Sequence, residues 1–117
     1  MRKLSKQQCS TLPLVLKGKW YDLIASGVKK EEYRDSKPFW DKRIGKWLGN
    51  KQAHFPYERL GTNDKYLVVG FSRGYKKPDM FFLLGYCERR GTSCNPGWGE
   101  PEDLHYVLGL GERVSFV

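Results

Sequence analysis

Four residues that can do chemistry stand at a fixed spacing in the first half of the chain: Gly27, Lys29, Glu32 and Arg34, in the pattern Gly-x-Lys-x-x-Glu-x-Arg. A lysine can hold a phosphate or, when its pKa is lowered, act as a nucleophile or base, and a glutamate can accept a proton. An arginine grips a phosphate or a base edge as a planar fork. Because charges are costly to desolvate, the cluster is either a solvated surface or a prepared site.

The neighbours of Lys29 bear on its chemistry. Lys29 follows the predicted end of a helix, where the helix dipole favours a protonated lysine and therefore a phosphate contact. Lys30 and Arg34 are cationic neighbours of the kind that favour a neutral, nucleophilic amine, and Glu32 opposes them. Glu32 and Arg34 lie two residues apart on one predicted strand face, which predicts an ion pair. The alternative is that all these side chains are solvated.

Two further pairs of residues combine a cation with an aromatic ring. Arg73 and Tyr75 flank Gly74 at a predicted hairpin and are suited to stacking a base and holding a phosphate. A surface turn with a packed tyrosine is an equal alternative. Trp40 and Arg43 lie about one helical turn apart and would form a second stacking edge, although a tryptophan at helical spacing is more often a core residue.

The pattern of apolar residues predicts the elements that carry these side chains. Apolar residues recur at helical spacing within residues 17–26, and Gly27 is placed to end this helix in a left-handed conformation with Val28 packing back. Trp20 of this helix and Trp47 of the next are assigned to the core. The predicted elements, in chain order, are a frayed segment 1–10, a strand 12–16, a helix 17–26, a strand 30–35, a helix 38–49, a loop 50–64, strands 66–71 and 80–87 with a turn at 74–79, a loop 89–102 and a strand 105–110.

This order predicts an α+β fold with a small, mostly antiparallel sheet or β-barrel and a helix across one end. We expect a basic N-terminal segment 1–11 and a single domain 12–117. Alternation along the predicted strand 30–35 divides its side chains between two faces: Lys30, Glu32 and Arg34 on one, Glu31 and Tyr33 on the other.

The charge of the chain is unevenly distributed. The net charge is +8, and residues 1–59 contain 14 lysines and arginines against 6 aspartates and glutamates, whereas residues 60–117 contain seven of each. All the excess positive charge therefore lies in the first half. This asymmetry favours an anionic partner, with nucleic acid first and a nucleotide or phosphate next. A basic surface that aids solubility is the alternative.

Apolar runs and cysteines bear on the compartment. No apolar run approaches the ~20 residues that a membrane helix needs, and the start of the chain lacks a signal-peptide pattern, so we expect a cytoplasmic protein with no membrane partner. Cys9, Cys87 and Cys94 form no Cys-x-x-Cys pair, which is typical of free thiols in a reducing compartment. Cys87, Cys94 and His105 match no usual zinc spacing, so neither a metal nor another cofactor is expected.

In its strand–helix–strand context, the pattern formed by Gly27, Lys29, Glu32 and Arg34 resembles the signature of the ASCH domain family. The family shares the PUA-like fold, a small β-barrel flanked by helices, so the resemblance implies that fold here. The likeness covers roughly residues 12–113 and includes four further stretches similar to those of small phage and bacterial ASCH proteins: residues 12–14, 71–75, 97–99 and 106–111.

The resemblance implies a function connected with RNA. PUA-like domains are widely RNA binders, and ASCH domains are proposed to act on RNA or its modified nucleosides. The likeness also implies that Trp98, between two glycines, closes a loop over the cleft. The first interpretation is therefore a module that binds RNA or a nucleotide in a basic cleft formed by the candidate residues: Lys29, Lys30, Glu32, Arg34, Trp40, Arg43, Arg73 and Tyr75.

The second interpretation is a small hydrolase. Some small ASCH proteins resemble amidohydrolases of acetylated cytidine with the signature lysine as catalytic residue, and others are reported as nucleases, which implies Lys29 and Glu32 as catalytic residues here. In the amidohydrolase-like relatives the position matching Glu32 is a threonine, so this chain keeps the commoner ASCH pattern. Glu88 is a candidate for a second catalytic carboxylate. The third interpretation is an interaction domain whose signature only holds the fold.

Overall fold

The computed structural model of the protein describes residues 1–49 and 65–117, and the predicted loop 50–64 lies outside these residues. The described residues form an α+β fold of strands and two helices, with single turns of 3-10 helix at Lys6–Gln8 and Pro96–Trp98. The elements are the strands β1 (Arg2–Leu4), β2 (Cys9–Leu16), β3 (Glu31–Asp35), β4 (Tyr66–Arg73), β5 (Met80–Arg90) and β6 (His105–Phe116), and the helices α1 (Gly18–Ala25) and α2 (Pro38–Leu48).

The end of α1 sets the position of the residues that follow it. Gly27 has a φ of +82°, so the predicted left-handed stop is confirmed. The backbone N–H groups of Val28 and Lys29 both donate to the carbonyl of Leu23, at 3.1 and 3.0 Å. Val28 is exposed, so the expectation that its side chain packs back is wrong. The turn fixes the backbone of Lys29 directly before β3.

The strands form one mixed sheet. Its hydrogen-bonded order is β1–β6–β5–β4–β2, and β3 pairs with the first half of β6. The pairs β3–β6, β4–β5 and β5–β6 are antiparallel, whereas β1–β6 and β2–β4 are parallel. β6 extends well past the predicted strand 105–110, and this length allows it to pair with β3 and β1 in succession along one edge.

Two segments differ from the sequence-based expectation. The N-terminal residues, which we expected to be frayed, form β1, and Arg2 stands opposite Val114 of β6. Leu4 is buried in a small second core, so burial and strand pairing hold this polar segment in place. Arg89 and Arg90 were expected in a loop, but they extend β5 and pair with β6.

The facing edges of β2 and β3 have no backbone pairing in the described part of the chain, so the sheet is not closed into a barrel. Side chains occupy these edges instead. The Arg34 guanidinium donates to the backbone carbonyls of Tyr33 and Val15, at 2.6 and 3.2 Å. The Trp47 indole donates to the carbonyl of Ser10 at 2.9 Å. Side-chain donors therefore satisfy carbonyls that an edge strand would otherwise leave open.

The main hydrophobic core lies between the sheet and the two helices, with Ile24 from α1 and Ile44 from α2 buried against the strands. Trp47 is buried in this core, as predicted. Trp20 is only partly buried, so its assignment to the core is wrong in part. Neither α1 nor α2 is long and apolar enough to cross a membrane.

Candidate nucleic-acid interface

A cleft with a volume of about 770 Å³ opens between the unpaired edges of β2 and β3. β2 and β3 form its sides, α1 contributes Trp20, and α2 contributes Phe39, Trp40 and Arg43. The turn between β4 and β5 adds Tyr75 to the rim. No strand of the described residues fills the gap between β2 and β3, and the cleft lies in this gap.

Lys29 and Glu32 form a buried ion pair in the cleft, which we call the cleft pair. The Lys29 Nζ lies 2.7 Å from the Glu32 Oε1, and their side chains are 1% and 6% exposed. The same Oε1 accepts the backbone N–H of Tyr33 at 3.0 Å. The Oε2 lies 3.2 Å from the Nη1 of Arg34, which confirms the predicted ion pair between Glu32 and Arg34. Both carboxylate oxygens are therefore engaged.

The ammonium group of Lys29 is only partly engaged. It lies 4.8 Å from the centre of the Trp20 ring and 5.2 Å from that of the Tyr33 ring. Glu32 is its only hydrogen-bond acceptor among the described residues. An ammonium group carries three N–H donors, so two of them have no acceptor among the described residues. Aromatic faces stabilise the positive charge without consuming these donors.

The first turns of α2 form an aromatic and cationic wall. Pro38 begins the helix at a position where its missing N–H costs no hydrogen bond. The rings of Phe39 and Trp40 meet edge to face at 4.9 Å. The Arg34 guanidinium lies 5.2 Å from the centre of the Trp40 ring, and the Arg43 guanidinium lies 5.8 Å from that of Phe39. Cations and aromatic faces therefore alternate along this wall.

Exposed aromatic surface is concentrated at the cleft. Among the residues that the structure describes, two aromatic side chains are exposed, Phe39 at 62% and Tyr75 at 98%, and both line the cleft. Lys17 and Arg43 also line it, and neither has an acidic partner within the described ranges. The cleft thus offers stacking surfaces and unpaired cations together.

Six of the eight predicted site residues are brought together in the cleft, and two lie elsewhere. Lys30 is exposed outside the cleft. Arg73 is exposed and its Nε lies 3.4 Å from the Oδ1 of Asp22 in α1. It does not line the cleft. The six that line the cleft are Lys29, Glu32, Arg34, Trp40, Arg43 and Tyr75.

Among the lining residues that the sequence interpretation missed are one cation, Lys17, and two aromatic residues, Trp20 and Phe39. Trp20 has the helical spacing of a core residue, but its ring lies where the apolar face of α1 meets the cleft. Phe39 precedes Trp40 in a run of aromatics, which was the available signal. Trp98 lines the cleft from the segment before β6.

A second cluster of buried charges lies outside the cleft: Glu31, Arg90, Glu100 and His105, here called the Arg90 network. Arg90 pairs with Glu31 through both guanidinium branches, with Nη1–Oε1 and Nη2–Oε2 distances of 3.0 and 2.8 Å. Its Nη1 also donates to the Glu100 Oε2 at 2.9 Å. Single-sequence reasoning could not find this cluster, because Glu31 and Arg90 are distant in the chain.

Hydrogen bonding governs the titration of this network. Burial raises the pKa of the Glu100 carboxyl, but donors from His105, Arg90 and two backbone N–H groups outweigh it and lower the pKa to about 2. Burial and the hydrogen bond to Glu31 raise the pKa of the Tyr33 hydroxyl well above its ordinary value. Glu100 is therefore ionised and Tyr33 neutral across the physiological range.

Glu88, the candidate second carboxylate, does not reach the cleft. Its Oε1 accepts from the Nη2 of Arg90 at 2.9 Å on the exposed side of the network. Within residues 1–49 and 65–117, no three histidine, cysteine or acidic side chains group as metal ligands. Burial raises the pKa of the Cys87 thiol to about 11, so this cysteine is a neutral thiol.

No family model, curated protein or solved structure matches the chain.

Proposed function

We propose that the protein is an ASCH-type module that binds a nucleotide of RNA in the cleft. The observation that carries the proposal is the coincidence of exposed aromatic rings and unpaired cations in one cleft, with Phe39 and Tyr75 beside Lys17 and Arg43. A base stacks on aromatic faces regardless of its identity, and cations hold the flanking phosphates. The net charge of +8 supports association with a polyanion.

The PUA-like barrel belongs to the same proposal. The path β3–β6–β5–β4–β2 brings β2 and β3 to the two sides of one seam, and Arg34 bridges them through the carbonyls of Val15 and Tyr33. Two edge strands that face each other across one gap, with a side chain bridging them, support a barrel of this type. The ligand would enter at that seam.

The cleft pair would hold the polar edge of the base. Lys29 has two N–H groups free of acceptors among the described residues, and a base or nucleoside carbonyl oxygen would accept from them. Glu32, already held by Lys29 and Arg34, would fix the direction of both cations. A buried ion pair is a weak source of stability, because desolvation offsets the attraction between its charges. Recognition is a better reason for its presence.

A second candidate function is hydrolysis of a modified nucleoside or of an RNA strand. The observation that favours it is the 2.7 Å contact between the Lys29 Nζ and the Glu32 Oε1, which provides a direct path for a proton. Transfer of that proton to Glu32 would leave a neutral amine in a partly aromatic pocket, which is the state a nucleophile requires. Lys29 and Glu32 would then be the catalytic residues.

Binding is tested by titrating single-stranded RNA against the protein at several salt concentrations. We expect affinity to fall steeply with salt, and Arg43→Gln to reduce the slope by about 1, because one phosphate contact is lost. Lys42→Gln is the matched control, since Lys42 is an exposed neighbour on α2 that does not line the cleft. Equal effects of the two variants, or binding that is independent of salt, would contradict the proposal.

Glu32→Gln separates the two candidate functions. This variant keeps the size of the side chain and removes a negative charge, so a binding module should bind RNA as well or better. A hydrolase that uses Glu32 as proton acceptor should lose turnover of acetylated cytidine or RNA while it still binds. Turnover by the unmodified protein that Glu32→Gln abolishes would make hydrolysis the function; no turnover would leave binding.

A further inference from the structure

We infer, on the basis of the proposed function, that the Arg90 network positions residues 94–101 so that Trp98 forms one wall of the cleft. Glu100 and His105 then set the affinity for the base, although no member of the network lines the cleft. They are positioning residues rather than binding residues.

Glu100 closes the segment on itself. Its Oε1 accepts the backbone N–H groups of Cys94 and Asn95, both at 2.9 Å. Its side chain is fully buried, although this part of the chain is a loop that contains a single turn of 3-10 helix. A buried carboxylate that accepts N–H groups of its own loop fixes the loop backbone, because release would leave these donors and the charge unpaired.

The sheet holds Glu100 in turn from two strands. Arg90 of β5 donates to the Glu100 Oε2 at 2.9 Å, and His105 of β6 places its Nε2 2.6 Å from the same atom. The Nδ1 of His105 lies 2.6 Å from the carbonyl oxygen of Asp103. The ring of His105 is therefore held between a carboxylate oxygen and a backbone carbonyl oxygen.

β3 provides the third attachment. The Asn95 Nδ2 donates to the Glu31 Oε1 at 3.1 Å, and Arg90 holds both oxygens of Glu31. The Tyr33 hydroxyl donates to the same Glu31 oxygen at 2.9 Å. Tyr33 also lines the cleft beside Lys29, so one side chain belongs to both regions.

The segment held in this way lies directly against the cleft. Gly99 has a φ of +79°, and a Cβ added there would lie 2.8 Å from the Cζ2 of Trp20. The backbone at Gly99 therefore packs on the ring that faces Lys29. Trp98 and Pro101 line the cleft on either side of this contact. Release of Glu100 would free this wall without touching the cleft pair.

Glu100→Gln tests the proposal, because glutamine keeps the shape of the side chain and removes the charge that Arg90 and His105 hold. Hydrogen exchange of residues 94–101, measured without ligand, should become faster. RNA affinity should fall by about 5- to 150-fold, the range for loss of one base stack, while the dependence of binding on salt stays the same. Glu88→Gln is the matched control: Glu88 also pairs with Arg90 but is 46% exposed and holds no residue of the segment.

A double-mutant cycle separates positioning from general stability. Trp98→Ala should weaken binding in the unmodified protein and have little further effect in Glu100→Gln, because the ring is already displaced. Full additivity of the two substitutions, or unchanged affinity in Glu100→Gln, would overturn the proposal. If Glu100→Gln does not fold, Asn95→Ala replaces it in the same measurements, since this change removes the contact of the segment with Glu31.

The outcomes also distinguish this inference from the proposed function. If the unmodified protein binds neither RNA nor a nucleotide, the proposed function fails. Hydrogen exchange then decides the positioning role alone: faster exchange of residues 94–101 in Glu100→Gln but not in Glu88→Gln supports it. Equal exchange in both variants overturns it.

Discussion

Two clusters of buried charge lie on opposite faces of β3, because successive side chains of a strand alternate. Glu32 faces the cleft and holds Lys29 and Arg34, whereas Glu31 faces the Arg90 network and holds Arg90. The two clusters contain the same kinds of group at similar distances. They differ in how many of their donors have acceptors.

The Arg90 network is complete within the protein. Glu100 accepts from Arg90, His105 and two backbone N–H groups. The cleft pair is incomplete, since Lys29 has one acceptor for three N–H donors within the part of the chain that the structure describes. A satisfied network gives rigidity, and unused donors that face an opening are available to a ligand. Under the proposed function, one face of β3 maintains structure and the other faces the ligand.

The largest expected effect is that of Arg90→Met. Removal of the guanidinium leaves Glu31 and Glu100 as buried carboxylates without their shared cation, so the free energy of unfolding should fall by about 3–5 kcal/mol. Urea denaturation measures this change. Arg89→Met is the control, because Arg89 is half exposed and its ion pair should contribute only about 0–1 kcal/mol. Equal losses of unfolding free energy in the two variants would mean that the Arg90 network stabilises the fold no more than a surface ion pair does.

Acid should weaken the network before the rest of the fold. The folded-state pKa of Glu100 is about 2 and its ordinary value is 4.5, a gap that corresponds to about 3 kcal/mol. Because the pKa is depressed, this stability is complete above pH 4.5 and is lost as the pH falls towards 2. Thermal unfolding from pH 6 to pH 2 should show a steeper loss for the unmodified protein than for Glu100→Gln. Parallel curves would contradict the assignment.

Removal of both charges of the cleft pair should not lower the stability of the fold, in contrast to the effect of Arg90→Met. Lys29→Met combined with Glu32→Gln removes both charges and retains an oxygen that can accept from the backbone N–H of Tyr33. Stability should stay constant or rise by up to about 1–4 kcal/mol, because the desolvation cost of the pair disappears. RNA affinity should nevertheless fall. A double variant that is strongly destabilised, measured by urea denaturation, would mean that the cleft pair is structural.

The smallest expected effect concerns the seam. Arg34→Lys keeps the positive charge beside Glu32 but loses the fork that reaches the carbonyls of Val15 and Tyr33. We expect a loss of about 0.5–1.5 kcal/mol in urea denaturation, the net contribution of a typical hydrogen bond. Arg73→Lys, which lies on the surface, should cost less. No difference between the two would mean that Arg34 does not stabilise the seam.

Local features of the site were predictable from the sequence. Spacing and glycine chemistry gave the helix before Gly27, the strand after it and the ion pair between Glu32 and Arg34. Tyr75 and Trp40 could be proposed as stacking residues because each has a basic neighbour. These inferences depend on residues within a few positions of one another.

Features that depend on distant residues were not predictable. β1 pairs with β6 from the other end of the described chain, so residues 2–4 had no local pattern that would indicate a strand. The glycines and prolines after Arg90 predict a loop there, but Arg90 lies in β5, where its backbone pairs with His105 and its side chain reaches Glu31. Trp20 was assigned to the core because helical periodicity does not distinguish a face that meets the core from one that also borders a cleft.

The position of β6 has a consequence for the folding of the chain. β6 is the last strand along the sequence, yet it pairs with β1, β3 and β5. Contacts of such long sequence separation make folding slow, because much of the chain must be ordered before they form. During synthesis, β1 and β3 have no edge to join until His105–Phe116 has left the ribosome. Before that point, β3 and its residue Glu32 have no neighbouring strand, and His105 is not yet available to hold Glu100. We therefore expect the cleft to form only after translation of β6.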